Sequence, residues 1–338
     1  MSLAAIRIGS PASLETLLPA TIPDPGQPGP GQIRVKLAAS SLNFHDYAVV
    51  IGRIPAEAGR IPMSDGAGTV EAVGAGVTQF KPGDLVVSLF FPDWNDGAAP
   101  TTAFTRVPGD GIDGYACEAV VTPDHWFTHA PRGYSAAEAA TLTCAGLTAW
   151  RALFEDGKTR PGSTVLIQGS GGVSVFALQF AKAAGARVIA TSSSDAKLER
   201  LKALGADELI NYKENPAWGL KTLEMTGGHG VDTVVEIGGA GTLDQSMMAT
   251  RVGGHIALIG ILAGYAGPVQ TALLMRKSLR VQGLTVGSRV QQLAMIAGIE
   301  ANGIRPVISD HFPLANLADA FRHQAANAHF GKIVVDIP

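Results

Sequence analysis

Between Thr164 and Gly185 the chain reads Thr-Val-Leu-Ile-Gln-Gly169-Ser-Gly171-Gly172-Val173-Ser174, then Val-Phe-Ala-Leu-Gln-Phe-Ala-Lys-Ala-Ala-Gly. A β-branched run, a glycine turn and a helical stretch in that order suit a pyrophosphate. The first glycine makes the turn, the second lets the backbone approach the anion, and the helix N-terminus offers N–H groups and a positive dipole. Gly169 and Gly171 take the first two places, and Gly172 and Val173 open the helix. Ser174 stands at the third glycine position, a departure expected to loosen helix–strand packing without removing the phosphate site. A lone glycine signature is weak, but the following β-branched run Arg187–Thr191 supplies the strand–turn–helix–strand context that a nucleotide site requires.

The end of that second run selects between cofactors. A carboxylate there holds a ribose 2′-hydroxyl and repels a 2′-phosphate. Here the sequence is Thr191-Ser192-Ser193-Ser194-Asp195-Ala196-Lys197. Hydroxyls of Ser192 and Ser193 with the Lys197 ammonium suit a phosphate, and Tyr212 is a further donor. NADP(H) is therefore expected ahead of NAD(H). The competing reading is that Ser194 or Asp195 caps a helix over Ala196–Leu204.

These residues need elements to position them. The 338 residues exceed the usual size of one domain, so two compact units are expected. Up to about residue 135, short apolar runs (Ile33–Leu37, Gly68–Val73, Leu85–Phe91, Cys117–Val121) alternate with Pro and Gly, which reads as an irregular β-barrel or sandwich. Beyond it, helical stretches (Ser135–Trp150, Ser174–Ala184, Leu317–Ala325) alternate with runs at Thr164–Gln168, Arg187–Thr191, Thr233–Ile237 and His255–Ile259, and Phe330–Ile337 is a last strand. That alternation predicts βαβ units around a parallel sheet. Ser135 with Glu138 has capping-box spacing.

Composition narrows the function classes. Glycine is about 12% of the chain against a typical ~7%, with no collagen period, and charged residues are only 16%, so charge-driven disorder is excluded. A net charge of −3 with scattered basic residues gives no nucleic-acid surface. Val252–Met275 lacks acidic and basic residues, but its glycines and Pro268 favour a strand and turn over a spanning helix. Two cysteines, Cys117 and Cys144, cannot build a disulfide framework, and with no signal peptide in view a cytoplasmic protein is expected.

Further motifs run the length of the chain: Leu42-Asn43-Phe44-His45-Asp46-Tyr47, Ser64-Asp65-Gly66-Ala67-Gly68, Lys81-Pro-Gly-Asp84, Thr143-Cys144-Ala-Gly-Leu-Thr148 and Phe330-Gly331-Lys332-Ile-Val. With the glycine loop they resemble the medium-chain dehydrogenase/reductase superfamily, in its zinc-independent alcohol dehydrogenase and quinone oxidoreductase branch. The resemblance implies an α/β fold: a GroES-like β-rich catalytic domain over residues 1–145, a Rossmann doubly wound parallel sheet over 146–285, and a return to the catalytic domain over 286–338. It implies an active site between the domains, a small-molecule substrate and a homodimer or homotetramer. It places Thr148 on the nicotinamide side, Ile259 and Gly260 beside the carboxamide, and Lys332 at the pyrophosphate unless it is merely solvated.

Zinc-dependent relatives hold their metal with a Cys, a His-Glu pair and a second Cys. The matching positions here are Asn43, Ser64 with Asp65, and Cys144, of which only the last is a good ligand, so no zinc is expected. The stretch 90–114 holds no cysteine for a structural zinc lobe. Carbonyl polarisation then falls to hydrogen bonds from Asn43, His45 or Tyr47, with Asp46 beside them. His45, whose ordinary pKa of about 6.5 lies near working pH, is the candidate proton donor, unless it packs behind Tyr47. Phe91 and Trp94 are expected either to cover the cleft or to fill a local core.

Overall fold

The computed structural model describes residues 2–338, which divide into two compact units: 2–147 with Val286–Pro338, and Thr148–Thr285. The sequence boundaries were 145/146 and 285/286.

The first unit begins with an antiparallel pair, β1 (Ser2–Ile8) and β2 (Leu17–Pro23). Its main sheet starts with β3 (Gln32–Ser41), whose Ile33, Val35, Leu37 and Ala39 alternate into the core. Helix α1 (Phe44–Val50) follows, then β4 (Ala67–Val73), β5 (Leu85–Ser88), β6 (Ala119–Pro123) and β7 (Phe127–His129). Phe91 and Trp94 are buried in an aromatic cluster with Phe90, and half-exposed Phe104 packs on Phe91, so Phe91 and Trp94 fill a local core.

Helix α2 (Ala136–Ala140) is closed by the Ser135–Glu138 capping box. The continuous helix expected over Ser135–Trp150 is interrupted. Wider π-turns occupy Leu142–Gly146 and Arg151–Asp156, on either side of α3 (Leu147–Trp150). The Thr141 hydroxyl donates back to Glu138 O at 2.7 Å, and such bonding competes with the regular ladder.

The second unit carries six parallel strands: β8 (Thr164–Gln168), β9 (Arg187–Ser192), β10 (Glu208–Asn211), β11 (Val231–Glu236), β12 (Thr250–Leu258) and β13 (Arg280–Gly283). Between them lie α4 (Gly172–Ala183), α5 (Asp195–Ala203), α6 (Trp218–Met225), α7 (Leu243–Ala249) and α8 (Thr271–Arg276). The spatial order β10-β9-β8-β11-β12-β13 reverses direction between β8 and β11. In a doubly wound sheet that reversal leaves a crevice at the carboxyl ends of the strands. Val165, Leu166, Ile167, Val188, Ile189, Val234, Val235 and Ile256 have no more than 0% exposure, as a sheet covered on both faces requires.

The chain then returns to the first unit through α9 (Arg289–Asn302), β14 (Ile308–Pro313), α10 (Leu317–Ala325) and β15 (Lys332–Asp336). The completed sheet has the order β14-β15-β3-β4-β5-β7, with β6 also paired to β3. Val252–Met275 forms most of β12, a loop and most of α8, and among the described residues no helix is long and apolar enough to cross a membrane.

Close approach explains two glycines. A Cβ at Gly68 would lie 2.0 Å from Lys36 O across the β3–β4 ladder, and one at Gly74 would lie 1.8 Å from Gly29 O. Backbone cannot yield as a side-chain end can. Gly68→Ala is therefore expected to lower the urea midpoint of the first unit by an amount equivalent to about 1–3 kcal/mol, whereas Ala at Gly171, where a Cβ meets nothing within 4 Å, leaves the midpoint near wild type.

Candidate functional site

In the second unit the functional candidates lie at the carboxyl ends of neighbouring parallel strands. Gly169 follows β8 directly with φ of +70°, a conformation that favours glycine, and its N–H donates to Thr191 O at 2.7 Å. Gly171 is the N-cap of α4 and no side chain caps that end, so the first turn, with Gly172 and Val173, presents its N–H groups. The open space at the Gly171 Cβ position is what close passage of a pyrophosphate needs. These residues fit a dinucleotide.

Ser174 corrects an expectation. Its fully buried hydroxyl donates to Gln168 O at 2.6 Å, so the residue at the third glycine position ties α4 to β8 instead of loosening their packing.

At the end of β9, Ser192 is buried and its Oγ accepts from Ser194 N at 3.3 Å. Ser194 caps α5 by accepting from Lys197 N, and Asp195 accepts from Asn211 Nδ2 at 2.7 Å, so the capping alternative holds for Ser194 and the acidic side chain is engaged. Ser193 and Lys197 are half-buried, and Tyr212 is 40% exposed with its N–H on Ser192 O. Burial, with Arg200 second, lowers the Lys197 pKa. Ile259 and Gly260, just past β12, both donate N–H to Glu236 O, at 2.8 and 3.2 Å. Thr148 is buried at the start of this unit.

The first unit holds a buried polar cluster around α1. Asn43 N and Nδ2 both donate to Asp46 Oδ2 at 3.1 Å, and Ser64 N donates to Asp46 Oδ1 at 2.8 Å. Lys332 is 3% exposed, and its ammonium donates to Leu42 O at 2.7 Å and to Asn43 Oδ1 at 2.6 Å, with Asp65 Oδ2 at 3.5 Å. Asp65 also accepts from Ser41 Oγ. Burial pushes its carboxyl above the ordinary aspartate value against the pull of Lys332.

These placements reorder the catalytic candidates. Asn43 and Asp46 are satisfied by one another, by Ser64 and by Lys332, so they brace the start of α1 and are not placed to polarise a substrate. Tyr47 packs against the apolar core beside Phe321. Lys332 is not a solvated residue, and a pyrophosphate contact would require its ammonium to leave Leu42, Asn43 and Asp65. Of the four, His45 and Tyr47 keep partly exposed side chains, and only His45, at 22%, has an ordinary pKa near working pH. Its ring stands edge-on to Phe90, not behind Tyr47, and Nε2 lies 3.2 Å from Asp110 Oδ2. Burial lowers the His45 pKa, but the charges of Asp110, Asp46 and Asp65 together outweigh it and leave the pKa above the ordinary histidine value.

The positions matching zinc ligands do not fit a zinc ion. Asn43 Oδ1 and Asp65 already face an ammonium, and a dication among them would be repelled by Lys332. Among the described residues no three His, Cys, Asp or Glu side chains are grouped to hold a metal.

Two residues escaped sequence reasoning. Asp110 lies 65 positions from His45 in a Gly-rich turn that carries no pairing signal. Glu236 did leave a trace: a carboxylate ending an otherwise apolar β-branched run must find partners inside the protein.

Residues 29–132 match the family described as alcohol dehydrogenase GroES-like domain, and residues 172–299 that described as zinc-binding dehydrogenase. A zinc-type alcohol dehydrogenase-like protein of Schizosaccharomyces pombe is 41% identical over 334 residues, with 96% of each chain covered. A crystal structure described as an NAD-dependent alcohol dehydrogenase superposes with a TM-score of 0.90 at 34% identity, covering 99% of this chain and 100% of that one. A crotonyl-CoA carboxylase/reductase in complex with NADP gives a TM-score of 0.88 at 26% identity, covering 99% and 94%.

The Lys332–Asp65 contact predicts a signature in stability. Lys332→Met leaves a buried carboxylate without its cation and is expected to cost about 3–5 kcal/mol in urea unfolding. Adding Asp65→Asn removes the unpaired charge and is expected to restore part of that loss; a double variant no more stable than the single would contradict the electrostatic account.

Proposed function

Because the chain belongs to the medium-chain dehydrogenase/reductase superfamily, we propose that it is a zinc-independent oxidoreductase that prefers NADP(H) and moves hydride between nicotinamide and a small carbonyl, enone or quinone. The observation that carries this reading is the Gly169–Gly171 turn leading into an α4 N-terminus that no side chain caps, at the point where the strand order reverses. Cofactor-binding roles go to Gly169, Gly171, Gly172 and Val173 at the pyrophosphate, to Ser192, Ser193, Lys197 and Tyr212 at the 2′-phosphate, and to Thr148, Ile259 and Gly260 at the nicotinamide. The absence of an unengaged carboxylate at the end of β9 supports NADP(H), since Asp195 is held by Asn211.

When bound, the nicotinamide supplies or accepts the hydride. The protein's residues do the rest. Asp110 holds His45 at Nε2, and the ring gives its other proton, at Nδ1, to the substrate oxygen as negative charge develops there. Asp110 fixes the ring and raises its pKa, and the Asn43–Asp46 capping pair fixes the helix that carries it. An enone or quinone needs less help than a ketone, because its developing charge is delocalised.

A second reading, a secondary-alcohol dehydrogenase or ketone reductase, is favoured by the alcohol dehydrogenase-like relatives. We also place the protein in the cytoplasm, supported by two cysteines that form no disulfide. A homodimer or homotetramer is supported by the short edge strand β13 and by exposed Leu262, Tyr265 and Met275 in the same unit.

Oxidation of NADPH and NADH with an enone, a quinone, a ketone and an aldehyde tests the activity. Turnover with NADPH on the enone or quinone is expected, turnover on the ketone alone selects the second reading, and cofactor binding without any turnover rejects both. Reduction is expected at low pH and lost as pH rises through the His45 pKa, because the protonated ring is the donor. Asp110→Asn removes a charge that raises this pKa and is expected to move that limb down by about one unit or more; an unmoved limb excludes His45 as the donor. Ser192→Asp is expected to shift the ratio of kcat/KM values toward NADH by about tenfold or more.

A further inference from the structure

Glu236 ends β11, at the reversal of strand order, and is 0% exposed. Among the described residues no basic side chain pairs with it, and five uncharged donors converge on its carboxylate instead. Oε1 accepts from Gly238 N at 2.7 Å, Gly239 N at 3.0 Å and Thr242 Oγ1 at 2.6 Å. Oε2 accepts from Gln168 Nε2 at 2.7 Å and from Ser246 Oγ. Five donors require a group that only accepts, which an ionised carboxylate is and an amide is not.

The partners belong to three separate segments. Gln168 is the last residue of β8, immediately before Gly169, and its carbonyl receives the Ser174 hydroxyl of α4. Gly238, Gly239 and Thr242 form the turn after β11, where Gly239 has φ of +80° and its Cβ would lie 2.6 Å from Gly264 O. The Glu236 carbonyl takes the N–H groups of Ile259 and Gly260 past β12. One residue thus joins the phosphate turn to the turn after β11 through its carboxylate, and to the Ile259–Gly260 loop assigned to the nicotinamide through its carbonyl. We propose that Glu236 is a positioning residue for the dinucleotide: its buried carboxylate sets the spacing between the phosphate turn after β8 and the turn after β11, while its backbone carbonyl holds the loop after β12. The inference rests on the dinucleotide reading of the previous subsection.

Asp232 provides the control. It lies near the other end of the same strand, accepting from Thr164 N at 2.7 Å and Arg251 Nε at 2.6 Å, away from the proposed site. Binding of NADPH and NADH to the full chain is measured by titration calorimetry for wild type, Glu236→Gln, Thr242→Val and Asp232→Asn, with thermal midpoints alongside. Glu236→Gln is expected to weaken the preferred cofactor about tenfold or more, and Thr242→Val a few-fold in the same direction, while Asp232→Asn lowers the midpoint and leaves the dissociation constant within about twofold. Unchanged binding by folded Glu236→Gln overturns the inference. So does a loss of affinity in Asp232→Asn that matches that of Glu236→Gln at equal loss of midpoint. Should Glu236→Gln fail to fold, Thr242→Val decides, and wild-type affinity there overturns the inference. Wild type that binds neither nucleotide overturns the dinucleotide reading itself, a result distinct from wild type that binds and a variant that binds equally well.

Discussion

A carboxylate removed from water must be met by donors or by a cation, and this protein meets that requirement differently in each unit. Glu236 is surrounded by neutral donors, so its charge is dispersed over backbone amides, two hydroxyls and one amide side chain. Asp65 faces an ammonium, and Asp46 takes a neighbouring backbone N–H and an asparagine side chain. Each solution ties down backbone where a loop or a helix begins. The polar interior is therefore what gives the loops their shape, while the apolar core fixes only the sheets beneath them.

The sheet of the second unit explains why so few side chains suffice there. Parallel strands in register bring their carboxyl ends to one edge, so Gly169, Ser192, Glu236 and Ile259, spread over 90 positions of sequence, arrive together without further instruction. What remains is to hold the connecting turns apart. Gly169 N–H on Thr191 O, Tyr212 N–H on Ser192 O and the Ile259 and Gly260 N–H groups on Glu236 O do so with backbone bonds. Backbone contacts of this kind tolerate change in surface side chains, whereas Gly260, whose Cβ would lie 2.2 Å from Ile237 O, has no freedom to change.

Local patterns were legible in the sequence because they depend on neighbours a few positions away. The glycine turn, the β-branched runs of β8 and β9, the Ser135–Glu138 capping box and the helix over Leu317–Ala325 all belong to that class. The π-turns around α3 were not legible, since the side-chain period of a short helical stretch looks the same whether its turns close over four residues or five. Ser174 shows a subtler limit. Small size was read as a defect of packing, and the hydroxyl turned out to bond the carbonyl of Gln168. Pairings across 65 to 290 positions, His45 with Asp110 and Lys332 with Leu42 and Asn43, leave no trace in spacing at all.

The same long-range pairings decide what chemistry falls to which residue. An ammonium among the positions that match metal ligands is monovalent, and two of its donors already reach Leu42 O and Asn43 Oδ1. It balances Asp65 but cannot open a coordination position to a substrate oxygen as a metal does. Asn43 is occupied by the same bond. In the proposed reaction the burden of stabilising developing negative charge falls to His45, whose side chain is 22% exposed. The acidic surroundings that raise the pKa of this ring include Asp65 and Asp46 themselves. Under the proposed zinc-independent reading, an internal lysine among retained acids leaves a protonated histidine as the electrophile of the site, which favours substrates whose charge is already delocalised.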